Sequence, residues 1–415
     1  MLLKLFFYSF GLFLALSASP KDLEEWRNFK EKHGKVYESE EEEAKRFDIF
    51  VENLEEARQL NVKHNGMATF GATVYSDLTA DEFEMKHTMN SDILMSHIAN
   101  LTESLPSFSL PGGAVSYAPA SINWTKWGYA TTPKNQGHCL SCYAFAAVGS
   151  VEAHAKRYSP NQNFDLSEQQ VVACGRVGGC MTGWMHAALE YIQMFGIMYT
   201  SDYPYTAGQI GYPGVCHYNK NARLVRIRGF RKIDSGNEDD VKEIVGTLGP
   251  VAVPIDMRTP EYRSYRKGIM PALNCHGPKA TNHAVLAVGY GRANGTDYWL
   301  MKDWSGRNWG EYGYFRIERN TGNNSISHNL QAHLFWSFRP LSEIPLWLLS
   351  FPSPIPQLRH LHSVAPCRLR SLRLPTTAGR QTEDIIELRS FGGGNPGKAP
   401  LDQFAILVHL HLHVK

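Results

Sequence analysis

The hydrophobic periodicity of this chain changes along its length, and that change restricts the folds open to it. Apolar residues recur at helical spacing at Trp26, Phe29, Phe47, Phe50 and Leu54 within a charged stretch from Leu23 to about His64. They do so again at Ala144, Ala147, Val148, Val151 and Ala155 after Cys142, and from Trp184 to Met194. By contrast, Val251–Ile255, Ala284–Gly289, Tyr298–Lys302 and Tyr314–Ile317 read as strands. Helices come first and strands later, which fits an α+β, two-lobed fold: a helical lobe facing a β-barrel-like lobe, preceded by a helical segment.

The segment Asn135 to Ala146 carries the chemistry. Cys142 opens a helical run, and a sulfur at a helix N-terminus beside an imidazole is held as the reactive thiolate. The apolar face of that helix can bury and fix it while its N-terminal end meets solvent. Gln136, six residues upstream, could place a side-chain amide where a developing oxyanion needs a donor. His283, which begins the apolar run ending at Val288, can supply the base from the opposite wall of a cleft.

Composition narrows the classes of function. A chain of 415 residues exceeds one typical core, so two or more domains are expected. A formal charge of +2 without a concentrated basic face gives no reason to expect nucleic acid as a partner. Lys4, the apolar stretch Leu5 to Leu16 and the small residues around Ser17 read as a secretory signal peptide over residues 1–17. No later stretch is apolar for long enough to span a membrane. Lysosomal or extracellular delivery and disulfides are the corresponding expectations. Sequons stand at Asn100, Asn123, Asn294 and Asn323.

The run Cys139, Leu140, Ser141, Cys142, Tyr143 resembles the local signature of papain-like cysteine peptidases, and His283 lies about 140 positions downstream, within that family's separation. The resemblance continues through Asp165 to Cys174, Tyr203 to Tyr205, Cys216 to Asn219, Tyr298 to Trp304 and Trp309 to Tyr314. Upstream, Glu42, Arg46, Ile49, Phe50, Asn53 and Asn61 resemble the interspersed propeptide motif of the cathepsin L-like branch, with Ala57 at a position that is usually a large aliphatic. Gly71, Tyr75 and Asp77 resemble the motif that follows, with Thr73 where Asn is common.

This resemblance implies a papain-like cysteine endopeptidase made as a zymogen, acting on protein or peptide substrates and inhibited by its own propeptide. It implies Cys142 as nucleophile, His283 as acid and base, Asp303 as the group orienting the imidazole, and Gln136 as oxyanion donor. It pairs Cys139 with Cys180 and Cys174 with Cys216, leaving Cys275 unassigned and Cys367 in a doubtful tail. Gly183, Trp184, Met185, Pro254 and Ala284 fall where the family binds substrate, suggesting an apolar preference, and they read equally well as core. A monomer is expected, with no cofactor and no metal. The spacing of Cys139 and Cys142 also suits a redox or metal half-site, but no second close cysteine pair accompanies it. The alternation His409 to His413 reads as incidental.

The implied organisation is residues 18–117 as propeptide (helical over 23–83, a linker over 84–117), 118–336 as peptidase domain, and 337–415 as an unassigned, disordered tail. Maturation would begin near Ala118 to Ser121. Departures from the family pattern cluster at the site. Leu140 replaces Gly, Thr182 replaces Gly, Asp303 replaces Asn, and Trp304 and Ser305 exchange the usual order of Ser and Trp. Asp303 should raise the pKa of His283. Because one position reverses the face on a strand, Trp304 is expected to point away from the triad and leave the His283 contact open to water. These changes motivate the alternative of a catalytically weak or silent homologue that binds proteins or peptides.

Overall fold

The computed structural model describes residues 19–90, 107–108, 116–233, 238–272, 281–320 and 332–335. The signal peptide, the sequons at Asn100 and Asn323, Cys275, Cys367 and the tail from 337 lie outside the described residues, as does most of the linker.

The charged N-terminal segment forms a helix at Pro20–His33 and a longer one at Glu40–Lys63. Each starts where a serine can accept from the free amides of the first turn: Ser19, in a capping box with Asp22, and Ser39 ahead of Glu40 to Glu43. The apolar faces meet in a cluster of Trp26, Phe29, Phe50, Val51 and Leu54. A third helix, Ala80–His87, begins with the Thr79–Glu82 capping box and continues the helical part past residue 83.

Polar residues of this N-terminal segment tie these helices together. Arg46 reaches Glu42, both carboxylate oxygens of Glu82 and the Asp77 carbonyl. Asn53 donates to the carbonyls of Ser76 and Leu78, and Asn61 exchanges two hydrogen bonds with the Phe70 backbone. Asn61 thereby positions the strand Ala68–Phe70, which pairs antiparallel with Tyr265–Met270 and extends the main sheet at its edge.

The Arg46 contact holds the Glu82 carboxyl down at about 2. A carboxyl depressed in the folded state contributes stability that is present above its unfolded value and lost only as pH falls towards about 2. Mild acid therefore leaves this pair intact. Glu82→Gln is expected to cost this helical segment about 2 kcal/mol, read as a lower melting temperature of the full chain at neutral pH.

The described residues beyond these helices form two layers around one sheet, to which the N-terminal part adds edge strands. In order, the strands are Ala68–Phe70, Tyr265–Met270, Tyr314–Glu318, Thr296–Lys302, His283–Ala293, Val251–Ile255, Ala332–Phe335, Phe230–Ile233 and Ser107–Phe108, with Ile122–Asn123 also on His283–Ala293. Alternation along the two central strands divides the interior. Ala252, Ala284, Leu286 and Val288 join the core with the helices Cys142–Tyr158, Glu168–Cys174 and Met185–Phe195. Val251, Val253, Ile255, Val285 and Ala287 face a second core with Trp299, Trp309 and Phe315.

Candidate active site

Cys142 is the first residue of the helix Cys142–Tyr158, every residue of which from Cys142 to His154 is buried. The helix start is fixed from several sides. The disulfide Cys139–Cys180 ties the preceding turn to the 180 loop, and Cys174–Cys216 braces the same lobe. Ser141 interacts through its hydroxyl with the Cys139 carbonyl and the Tyr205 phenol. Cys142 is the free cysteine among the described residues, and the helix dipole favours a negative charge at that end.

Upstream, Gly137 adopts a φ of +61°, and a Cβ there would lie 2.3 Å from the Gly208 carbonyl oxygen. That close approach sets the loop holding Gln136. The Gln136 amide donates to the Trp304 carbonyl at 2.9 Å, its carbonyl accepts from Tyr205, and its side-chain Oε1 is buried with no hydrogen bond. A bridge between Asn135 and Ser305 continues this short ladder, so the Gln136 loop is tied to the segment after Asp303.

His283 opens the central strand, pinned at its entry by Asn282. The Asn282 side chain accepts from the Met257 amide and donates to Asp256. Because Lys302 pairs with Leu286 across antiparallel strands, the next residue, Asp303, is brought beside His283. His283 Nε2 lies 2.8 Å from Asp303 Oδ1, and both side chains are buried. Asp303 is not turned to solvent. The other ring nitrogen, Nδ1, has no hydrogen bond of ordinary geometry and is the one left for the Cys142 sulfur. Burial alone would lower the His283 pKa, but the neighbouring Cys142 sulfur and the Asp303 carboxylate outweigh it and raise it to about 10. Burial likewise pushes Asp303 up, and the hydrogen bond and charge of His283 more than offset it, so its pKa is lowered.

Two expectations require correction. Trp304 does leave the triad, as one-position slippage demands, but it does not leave the His283–Asp303 contact open to water. Its indole packs against Phe145 and donates to the Ala284 carbonyl at 2.8 Å, inside the helical-lobe core. The contact is covered instead by Tyr262, whose ring meets the imidazole edge-on at 6.1 Å and packs on Trp309 at 4.7 Å. The second correction concerns the nucleophile. The helix N-terminus does not meet solvent here, for Cys142 is 1% exposed. The segment after the third helix crosses the cleft beside it: the Met89 amide donates to the Asn282 carbonyl at 2.8 Å. Met89 belongs to the same apolar cluster as Cys142, Trp184, Met185 and Ala284.

The remaining candidate residues are all buried. Pro254 pairs directly with Ala284 on adjacent strands, and Met185 begins the helix Met185–Phe195. Gly183 lies against Tyr143, where an added Cβ would approach the ring to 2.5 Å. Sequence reading missed Tyr262 and Met89, which stand alone between recognisable motifs, and gave Asn282, the neighbour of His283, no separate role. It also missed that Ser305 bonds Asp303 and that the propeptide Tyr75 donates to Ser305 at 2.6 Å.

A thiol at a helix end and an imidazole held by a carboxylate across a cleft form the working parts of a thiol hydrolase, here with a stretch of its own chain laid over them. Residues 118–334 match the papain family cysteine protease, and residues 26–83 match the cathepsin propeptide inhibitor domain. The chain belongs to the papain family of cysteine proteases and is a cysteine endopeptidase zymogen. It is 36% identical to a cathepsin L-like proteinase of Fasciola hepatica, over 72% of this chain and 89% of that protein. It is 33% identical to digestive cysteine proteinase 2 of Homarus americanus, over 76% of this chain and 94% of the other. Among solved structures, digestive procathepsin L 3 of the Tenebrio molitor larval midgut superposes with a TM-score of 0.65 at 30% identity, covering 76% of this chain and 99% of its own.

Proposed function

We propose that Cys142 is the nucleophile, His283 the acid and base, Asp303 the group that orients the imidazole, and Gln136 the oxyanion donor. The observation carrying this reading is the buried His283, bonded through Nε2 to Asp303 with its other nitrogen left for the sulfur at the helix end. The Cys142 thiolate attacks the scissile carbonyl carbon and the π electrons move onto oxygen, where the Gln136 amide and the Cys142 backbone N–H receive them. Collapse expels the amine, which takes a proton from the His283 imidazolium and leaves an acyl-enzyme. Imidazole then deprotonates water, which attacks the thioester and returns the thiol and a free carboxylate product.

The substrate is a protein or peptide whose apolar side chain enters a pocket built by Trp184, Met185, Pro254 and Ala284, with Gly183 beside its backbone. Residues 1–17 act as a signal peptide into the secretory route, 18–117 as the inhibitory propeptide and 118–336 as the catalytic domain, the whole being a monomer delivered to lysosomes or outside the cell. No helix among the described residues is long and apolar enough to cross a membrane. The test is to process the purified zymogen at acid pH and treat it with a thiol-directed epoxide. Labelling at Cys142 together with peptide cleavage is expected. A processed sample that neither cleaves nor labels removes the assignment.

A further inference from the structure

Asp303 carries two oxygens, and His283 occupies only Oδ1. A buried carboxylate oxygen left bare is costly, and an amide at this position would have presented a donor there instead. Oδ2 is met by Ser305 twice, through its backbone amide at 3.1 Å and through its hydroxyl. The displacement of Trp304 into the helical-lobe core is what places a hydroxyl-bearing residue at position 305. Its backbone is fixed by the bridge to Asn135, beside the Gln136 amide bonded to the Trp304 carbonyl. The Asp at 303 and the Trp–Ser order at 304 and 305 therefore fit one another as donor-requiring and donor-supplying changes.

We propose that Ser305 is a positioning residue that holds the Asp303 carboxylate charged and turned toward His283, a role that exists because position 303 is Asp. It rests on the reading of Asp303 as the orienting group. Within the zymogen, Tyr75 donates to the same hydroxyl, which can accept from the phenol while donating to Asp303. Tyr75 leaves with the propeptide, so Ser305 carries the role in the processed enzyme. The titratable groups facing Asp303 are His283, Tyr262 and, before processing, Tyr75, with Cys142 acting through His283.

The experiment compares Ser305→Ala and Ser305→Thr in processed enzyme carrying either Asp303 or Asp303→Asn, following kcat, KM and the pH profile of kcat/KM. With Asp303 present, Ser305→Ala is expected to lower kcat about tenfold, leave KM within about twofold, and move the acid limb to higher pH, because a lost donor makes the carboxylate easier to protonate. Ser305→Thr should restore both. In the Asp303→Asn background, Ser305→Ala should change kcat less than about twofold. Equal losses in the two backgrounds, or an unmoved acid limb, would overturn the proposal. Asp303→Ala is measured alongside: if it leaves turnover intact, the orienting role of Asp303 fails, whereas a loss there with an unaffected Ser305→Ala enzyme removes only the role of Ser305.

Discussion

Cys142→Ala is expected to lower kcat for peptide hydrolysis by at least about 10⁴-fold while the protein remains folded. The side chain is small and buried, so removing one sulfur perturbs packing little, whereas the reaction loses its attacking atom. No neighbour can replace it. The Ser141 hydroxyl is one residue away but engaged with the Cys139 carbonyl and Tyr205, and no base faces it. The variant cannot process itself, so its propeptide has to be removed by an added protease before turnover is compared with the parent. Residual turnover within a hundredfold of the parent would show that another group attacks. A biological effect that survives the substitution would assign the protein to peptide or protein binding, the role that the departures at Leu140, Thr182, Asp303 and Trp304 leave open.

Asp303→Ala is expected to reduce kcat by about 10²-fold, because an imidazole without its partner loses its orientation toward the sulfur. Asp303→Asn separates charge from orientation. An amide can still hold Nε2 through its oxygen, but the negative charge favouring imidazolium is gone. His283 is raised to about 10 by Cys142 and Asp303 acting against burial, so the imidazolium persists into alkaline solution and is lost as pH rises through that value. Removing the carboxylate lowers the His283 pKa, and the alkaline limb of kcat/KM, which needs the imidazolium to protonate the leaving amine, should move down by about one pH unit or more. The sign follows for stability also. A histidine raised in the folded state contributes stability that is full below its unfolded value and lost as pH rises toward about 10. An alkaline limb that is the same in parent and Asp303→Asn would mean that the carboxylate does not support the imidazolium.

Much of this molecule was legible in its residues. The helix after Cys142, the helix after Trp184 and the four apolar strands fall within a few residues of where periodicity puts them, since each turns a regular apolar face into the core. The short strand Ala68–Phe70 was not legible, because three residues carry no period and its pairing with Tyr265–Met270 depends on Asn61 holding the Phe70 backbone. Trp304 illustrates the other limit. Face reversal along the strand foretold that it would leave the triad, but not that Tyr262, more than forty residues earlier in the chain, would cover the imidazole in its place.

What the sequence determined by itself is a set of candidate reacting groups and the order of helical and extended segments, because helix dipoles, side-chain chemistry and hydrophobic repeat are local properties. Tertiary structure alone decided that Asp303 lies buried against His283, that Ser305 takes its second oxygen, and that Met89 crosses the cleft beside Cys142. Those outcomes depend on strand register and on one segment packing across another, and neither is written in the spacing of residues along a single chain.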